Sequence, residues 1–447
     1  MSVRSKASSQ ATPENKALDG LEEQYRVKEQ LDDDDRGTPI SDFPEGGWAA
    51  WATVAGSWIV QFTGFGYTNA YGVYQDYYVR EYLNRQTSSQ ISWIGSTQVF
   101  VMMSSGIITG RLFDRGYFYH LIIGGSLLLV FSLFMLSLTK PHQFYQVFLA
   151  HGLGVGLGSG LTYIPSIAVV FHHFQRRRAL AVGIVASGSS IGGLVHPIML
   201  NNLFHGNAGF ANGVRTSAGM TLGLLIIAGA LMRTRLPPKP TDALLPALRK
   251  FSKDIPYVSA VLGTTFIATG LFFPIFYLQL DAIKHSLDPK FAFYSLSIMN
   301  GASVVGRIVP GFFAHSLGVM NMIFVCTSCC GILIFAMLGV KSVASVAVFA
   351  MLYGFVTGAY VTLLAPLLSV LSDDVSEIGA RMGISFTFTG IGSLIGTPIT
   401  GAFLTTGFIW WRPIVFSGIV TLAGAVGFAI SRVTLGKKRG IPIIARL

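Results

Sequence analysis

From residue 48 onward the chain is dominated by twelve stretches of about twenty residues that carry almost no charge. A helix of about twenty residues matches the roughly 30 Å hydrocarbon core of a bilayer. The stretches lie near 48–74, 90–111, 118–138, 143–170, 179–202, 215–235, 256–279, 290–313, 318–340, 343–371, 381–405 and 411–435. A backbone inside lipid must satisfy its own hydrogen bonds, so each run predicts a helix. The fold class expected is an all-α polytopic membrane protein with twelve transmembrane helices. The charge supply agrees, because only 12% of the 447 residues are charged, against about 25% in an ordinary soluble domain. So few charges cannot cover a water-facing surface, which excludes a soluble multidomain enzyme.

The charges are also unevenly placed. Residues 1–45 hold 11 acids and 6 bases without an apolar run, which predicts a disordered cytosolic tail and no signal peptide. Residues 46–447 carry 26 bases and 10 acids. If the amino terminus is inside, alternating loops place 17 of those bases on the cytosolic side, 8 outside, and Arg307 within a span. That bias puts both termini in the cytosol, and the cell membrane is the expected location. No basic stripe interleaves with aromatics in a soluble module, so the basic balance does not imply nucleic acid. The expected partners are a small-molecule substrate and the lipid bilayer, with function as a monomer. Cys326, Cys329 and Cys330 share one apolar run and read as packing, not as a metal site or disulfide. Trp48, Trp51, Trp410 and Trp411 suit the interfacial belts.

A polar stretch at 236–255 separates two six-helix halves, 46–235 and 256–435, and a basic cytosolic tail is expected at 436–447. The halves repeat. Gly154 and Gly354, Gly158 and Gly358, Gly183 and Gly383, Gly192 and Gly392, and Leu194 and Leu394 are each 200 residues apart. Pro165 with Pro366 and Pro197 with Pro398 are 201 apart. A constant offset through spans four, five, ten and eleven predicts two parallel repeats, an architecture that places substrate near the midplane between halves. Glycine rows allow close backbone approach, and prolines free carbonyls beside a cavity.

The loop Gly110-Arg111-Leu112-Phe113-Asp114-Arg115-Gly116 resembles the G-x-x-x-D-R signature of the major facilitator superfamily. Pro44-Glu45-Gly46-Gly47-Trp48 is similar to the acidic-Gly-Gly-Trp entry of its monocarboxylate porter family. Arg178 to Gly183, Ser187 to Gly193 with His196-Pro197, and Gly306 to Gly311 resemble spans five and eight of fungal members. The resemblance runs from about residue 44 to 435 and implies the major facilitator fold and secondary transport. Departures accompany it. Lactate-proton members carry a Lys where Asn69 stands and an Asp where Ser303 stands, while Arg307 is retained. The proton-coupled lactate mechanism therefore does not carry over whole, and fungal members lacking that pair imply varied organic substrates. In the second half His315 stands where the signature has Asp114.

Arg307 is eight residues from His315, about 12 Å along a helix, and meets no acid within a span. A base so deep costs about 2.5–3.5 kcal/mol, usually offset by a partner or a wet cavity. Two readings stay open: receptor for a carboxylate, or a structural Arg bonding carbonyls or helping a cytosolic gate. By the repeat, Gly106 stands opposite Arg307, so one half carries the charge and the other leaves room. Asn69, Tyr67, Tyr71, Tyr74, Tyr163, Phe273, Phe276, Tyr277, Asn300 and Tyr360 are candidates to line an amphipathic cavity, with packing as the alternative. His151 and Asp76 are candidate proton-coupling groups, with His196 and Asp281 behind them. A candidate gate joins Gly110, Arg111, Asp114 and Arg115 to opposite charges at equivalent loops: Arg176, Arg177 and Arg178 against Asp373, Asp374 and Glu377. The glycines at 152, 154, 156, 158 and 160 lack a preceding strand, so they read as helix packing and not as a dinucleotide loop. No metal or cofactor is expected. The leading function is transport of an organic anion such as a monocarboxylate. The alternatives are efflux of a secondary metabolite and a non-transporting receptor on a transporter fold.

Overall fold

The computed structural model describes residues 45–237, 244–374, 377–404 and 410–440. Among them, eleven helices of 20 to 30 residues are long and apolar enough to cross a membrane. They supply spans two to six as Gln90–Asp114, Phe118–Ser137, Phe144–His172, Arg178–His205 and Gly209–Leu231. Spans seven to twelve are Ile255–Lys284, Lys290–Leu317, Val319–Gly339, Val343–Val370, Ile378–Phe403 and Trp411–Arg439. No β-strand occurs among the described residues. Side chains such as Phe131, Ile226 and Phe312 stay exposed on the outside of the bundle, as lipid-facing positions should.

Span one departs from expectation. In place of one helix it runs as Trp48–Thr63, Phe65–Thr68, Tyr71–Tyr77 and a π-helical turn at Tyr78–Tyr82. The first break falls at Gly64, whose φ of −91° and ψ of −84° leave helical geometry. The second falls where the Ala70 N–H reaches back only three residues, to the Tyr67 carbonyl at 2.9 Å. Asn69 sits at that break, exposed in the middle of the span.

The glycine row of span four serves two neighbours at once. A Cβ on Gly156 would lie 2.9 Å from the Gln98 carbonyl of span two, and one on Gly158 would lie 2.5 Å from the Leu129 nitrogen of span three. Only glycine lets three backbones pack this closely. Many hydroxyls in the spans donate to carbonyls three or four residues back, as in Ser132 to Leu128 and Thr357 to Tyr353. The three cysteines are free thiols in span nine.

Two boundaries differ from expectation. The 236–255 stretch contains a helix at Leu244–Phe251, with Ala247 and Phe251 buried. Residues 238–243 lie outside the described structure. Span twelve continues as helix to Arg439 and ends at Gly440 with a left-handed φ of 63°, so 436–439 extend that helix. The acidic tail, apart from Glu45, lies outside the described residues, as do residues 441–447.

Candidate translocation site and inner gate

The two halves meet along two seams, and the repeat relates them. In one, span two lies on span eleven. A Cβ on Gly110 would stand 2.0 Å from the Gly379 carbonyl oxygen, and one on Gly383 would stand 2.0 Å from that of Gly106. In the other, span eight lies on span five. A Cβ on Gly311 would stand 2.5 Å from the Leu180 Cα, and one on Gly183 would stand 2.3 Å from the Arg307 carbonyl oxygen. Gly110 corresponds to Gly311 and Gly183 to Gly383 under the sequence offset, so one close approach is built twice. Both seams run towards mid-span from the ends bearing the turns after spans two, four and ten, termed the inner face after the topology expected from the base distribution. There Gly390 meets Met103 in one seam, and in the other the Asn300 amide reaches the Gly193 carbonyl at 3.4 Å.

Each seam has its own polar fastening. Asp114, buried at the end of span two, accepts from the Ala380 N–H at 2.9 Å and the Gly379 N–H at 3.2 Å. A carboxylate of one half thus satisfies free amides in the first turn of a helix of the other, where the helix dipole favours negative charge. Asp114→Asn puts an amide NH2 against a backbone donor and removes the charge. Hydrogen bonds to charged groups contribute about 1.5–3 kcal/mol, so the inner-closed population should fall roughly tenfold or more. Reactivity of a cysteine placed on the inner seam measures this, and an unchanged rate contradicts it.

In the other seam Arg307 is 6% exposed. Its Nη1 donates to the Ala186 carbonyl at 2.8 Å and the Ser189 hydroxyl at 2.6 Å, both on span five. Its Nε donates to Ser303 Oγ at 3.3 Å, and Ser303 also accepts from Ser190 Oγ at 3.0 Å. Among the described residues no carboxylate pairs with the guanidinium and its Nη2 has no protein hydrogen bond. The residue therefore ties the halves together and keeps one nitrogen and its charge uncommitted.

The predicted lining residues divide. Asn69 and Asn300 come together over Gly193, whose Cβ would meet both side chains at 3.2 Å. Tyr163 stacks on Phe65 at 5.6 Å and meets Phe386 of span eleven edge-on at 5.6 Å, so three rings bridge spans one, four and eleven. Tyr360 is buried in the same cluster, with a hydroxyl that has no hydrogen-bond partner among the described residues. Tyr277 of span seven sits near the carboxy-terminal end of span eleven, its hydroxyl 3.2 Å from where a Gly401 Cβ would be. The others are packing residues. Tyr67 and Tyr74 are buried in the amino-terminal half with their hydroxyls bonded to each other, and Tyr71 donates to the Ile91 carbonyl at 2.6 Å. Phe273 is buried in the carboxy-terminal half against Tyr277, and Phe276 is exposed and stacks on Phe272 at 5.7 Å. Helical spacing puts these rings on one face without saying what the face meets.

Residues 56–375 match the family model described as Major Facilitator Superfamily. The chain belongs to the Major Facilitator Superfamily. It is 38% identical over 386 residues to a protein of Emericella nidulans named aspyridones efflux protein apdF, covering 86% of this chain and 78% of that one. To the agnestins efflux protein AgnL12 of Paecilomyces divaricatus it is 36% identical over 389 residues, covering 86% and 87%. Among solved structures the outward conformation of FucP aligns with a TM-score of 0.66 at 16% identity, covering 85% of this chain and 98% of that one. That likeness shows the major facilitator fold, two six-helix repeats included.

In this facilitator the expected attraction between the arginine triplet and the acids at 373–377 is not what Glu377 and Asp373 make. Glu377 binds Lys250 of the Leu244–Phe251 helix and lies 3.6 Å from Arg381 of span eleven, while Asp373 lies 3.5 Å from Lys438 at the end of span twelve. Arg178 crosses the seam to the Ser369 hydroxyl at 2.8 Å. Arg176, Arg177 and Asp374 are exposed, where ion pairs contribute little. Backbone contact, Asp114 and Arg178 join the halves at this end.

The signature's neighbours Arg111 and Arg115 flank Asp114 without replacing it. Sequence reasoning also gave Glu45 no role. Its carboxylate accepts from the N–H groups of Gln175, at 2.8 Å, of Arg176, and of Arg177, at 3.1 Å. Partial burial pushes its pKa up, but three amide donors outweigh that and hold it below the ordinary carboxylate value. A lowered pKa means the contact is intact from neutral to mildly acidic pH and is lost only as pH falls through the lowered value. Glu45→Gln should raise tryptic cleavage at Arg176–Arg178 several-fold at neutral pH, and equal cleavage would show that the carboxylate does not hold this loop.

The proton-coupling candidates lie apart from the seams. His151 is buried and hydrogen-bonded to the Tyr78 hydroxyl at 3.0 Å, and His196 bonds the Phe62 carbonyl at 3.1 Å. Asp76 forms an exposed pair with Arg80 at 2.7 Å. Asp281, the other carboxylate candidate, is 3% exposed and 3.5 Å from His285.

Proposed function

We propose that this transporter exports an amphipathic secondary metabolite bearing an anionic group, by rocking two six-helix halves about a site between Asn69, Tyr163, Asn300, Arg307 and Phe386. The observation that carries the export reading is that relatives named as metabolite efflux proteins match along nearly the full chain. It displaces uptake of a monocarboxylate, the leading reading from sequence, to second place. The uncommitted charge of Arg307 still favours an acidic substrate, and the Phe65–Tyr163–Phe386 rings favour one larger and more aromatic than lactate. The inner-closed seams correspond to an outward-facing state in the topology that the base distribution supports, with both termini cytosolic at the cell membrane.

The test is a flux screen in proteoliposomes of known orientation, with and without a pH gradient. The panel pairs compounds of the kinds named for the relatives with lactate and pyruvate. Export of a metabolite-type acid with background flux of lactate is expected. Lactate flux without metabolite flux would return the monocarboxylate reading, and binding without flux of either would make the chain a receptor.

A further inference from the structure

Beside the gate, on the inner face of the second half, lies a cavity of about 500 Å³ that the transport cycle above does not use. The helix at Leu244–Phe251, the start of spans seven and eleven and the end of span twelve converge on it. Five cations line it, Lys250, Lys253, Arg381, Lys437 and Lys438, against the two carboxylates of Asp254 and Asp373.

The ion pairs leave part of that charge over. Arg381, fully buried, binds Asp254 at 2.7 Å and lies over the Phe251 and Tyr257 rings at 4.6 and 5.0 Å. Lys438 lies 3.5 Å from both Asp254 and Asp373, and Lys250 binds Glu377. Lys253 and Lys437 are exposed at the rim, and among the described residues neither has an ion pair or side-chain hydrogen bond. Two held acids thus organise the floor, and two uncommitted ammonium groups project over it. The wall towards the spans contains Ile255, an exposed apolar side chain, with Pro256 and Thr434. Cations at the polar edge of a bundle above an apolar wall match a phosphate-bearing headgroup whose chain lies in the bilayer.

We propose that this cavity binds the phosphate-bearing headgroup of an anionic lipid from the inner leaflet. The same phosphate chemistry could arrive as a free soluble anion, so the test separates the two sources. Occupancy would reach the gate directly. Glu377 and Arg381, which hold the cavity together, flank Gly379 and Ala380, whose amides grip Asp114.

The experiment uses the full chain in phosphatidylcholine nanodiscs with and without a phosphatidylinositol monophosphate, and a water-soluble inositol phosphate as competitor. Retained lipid is counted by native mass spectrometry, and affinity is read from thermal stabilisation. Each lysine near an anionic surface contributes on the order of fivefold, so K253Q/K437Q should weaken binding about thirtyfold. K140Q, which removes an exposed charge outside the cavity, should leave it unchanged. Both lysines are exposed and unpaired, so the double variant should fold. Displacement by the soluble inositol phosphate means the site takes the free anion as well, while binding that resists it assigns the bilayer as the source. Equal binding by wild type and K253Q/K437Q, or no retention of either probe by the wild type, overturns the proposal.

Discussion

Gly110→Val is expected to lower transport at least about tenfold and to leave the inner side open. A Cβ at this position would overlap the Gly379 carbonyl oxygen at 2.0 Å, and that partner is backbone, not a flexible side chain. Span two must therefore move off span eleven, which also pulls Asp114 away from the Gly379 and Ala380 amides. Overpacking costs about 1–3 kcal/mol, which moves a two-state ratio by roughly five- to more than a hundredfold. Alternating access needs both states, so depopulating one slows turnover even if substrate affinity is unchanged. Gly311→Val, the repeat equivalent, should act in the same direction. Gly124→Val is the control, since a Cβ there has no atom within 4 Å. A cysteine at Asn69, in a background without the three native thiols, reports opening to the outer side. Its labelling from outside should fall in G110V and G311V and stay normal in G124V. Transport within twofold of wild type in G110V would show that the seam does not close during the cycle.

The seams explain what the sequence could and could not disclose. A span of about twenty apolar residues carries its own evidence, because bilayer thickness and backbone hydrogen bonding leave one solution. Eleven of the spans follow from that, and so does the repeat, since Gly183 and Gly383 keep their offset and meet corresponding partners. What a helix face touches is not written in its own spacing. Tyr67, Tyr71 and Tyr74 share a face, yet that face packs inside one half, whereas Tyr163 meets the other half through Phe386. Asp114 finds its amides 265 and 266 positions away, and only the assembled halves bring them within reach. The break at Gly64 was hidden among 51 glycines, most of which pack within intact helices. For Glu377 and Asp373 equivalent repeat positions suggested pairing between halves, but Lys250, Arg381 and Lys438 lie nearer. Glu45 was noticed only as part of a motif, because its partners are backbone amides and carry no residue signature.

Arg307→Gln should change two measurements, and together they separate the two readings of this residue. As a tie between halves, Arg307 donates to Ala186 and Ser189 across a seam that also holds the Gly183 close approach, and to Ser303 on its own helix. The shorter, neutral glutamine cannot keep all three bonds. Charge-assisted bonds contribute about 1.5–3 kcal/mol, so labelling of the Asn69 cysteine from outside should fall about tenfold. As an anion receptor, Arg307 offers Nη2 and a charge that no carboxylate meets among the described residues. Loss of that charge should weaken anionic substrates at least about tenfold more than neutral analogues of the same size, because a charge-specific contact disappears only for the former. Arg307→Lys keeps the charge but not the planar fork. It should recover much of the preference for anions while leaving the seam loosened, since one ammonium cannot span the Ala186 and Ser189 acceptors and Ser303 together. Normal labelling in R307Q would remove the tie, and an equal loss for anionic and neutral substrates would remove the receptor. The two roles are compatible because they use different nitrogens. An anion arriving at Nη2 draws the guanidinium from span five, so substrate binding itself would weaken the seam that must part for the inner side to open.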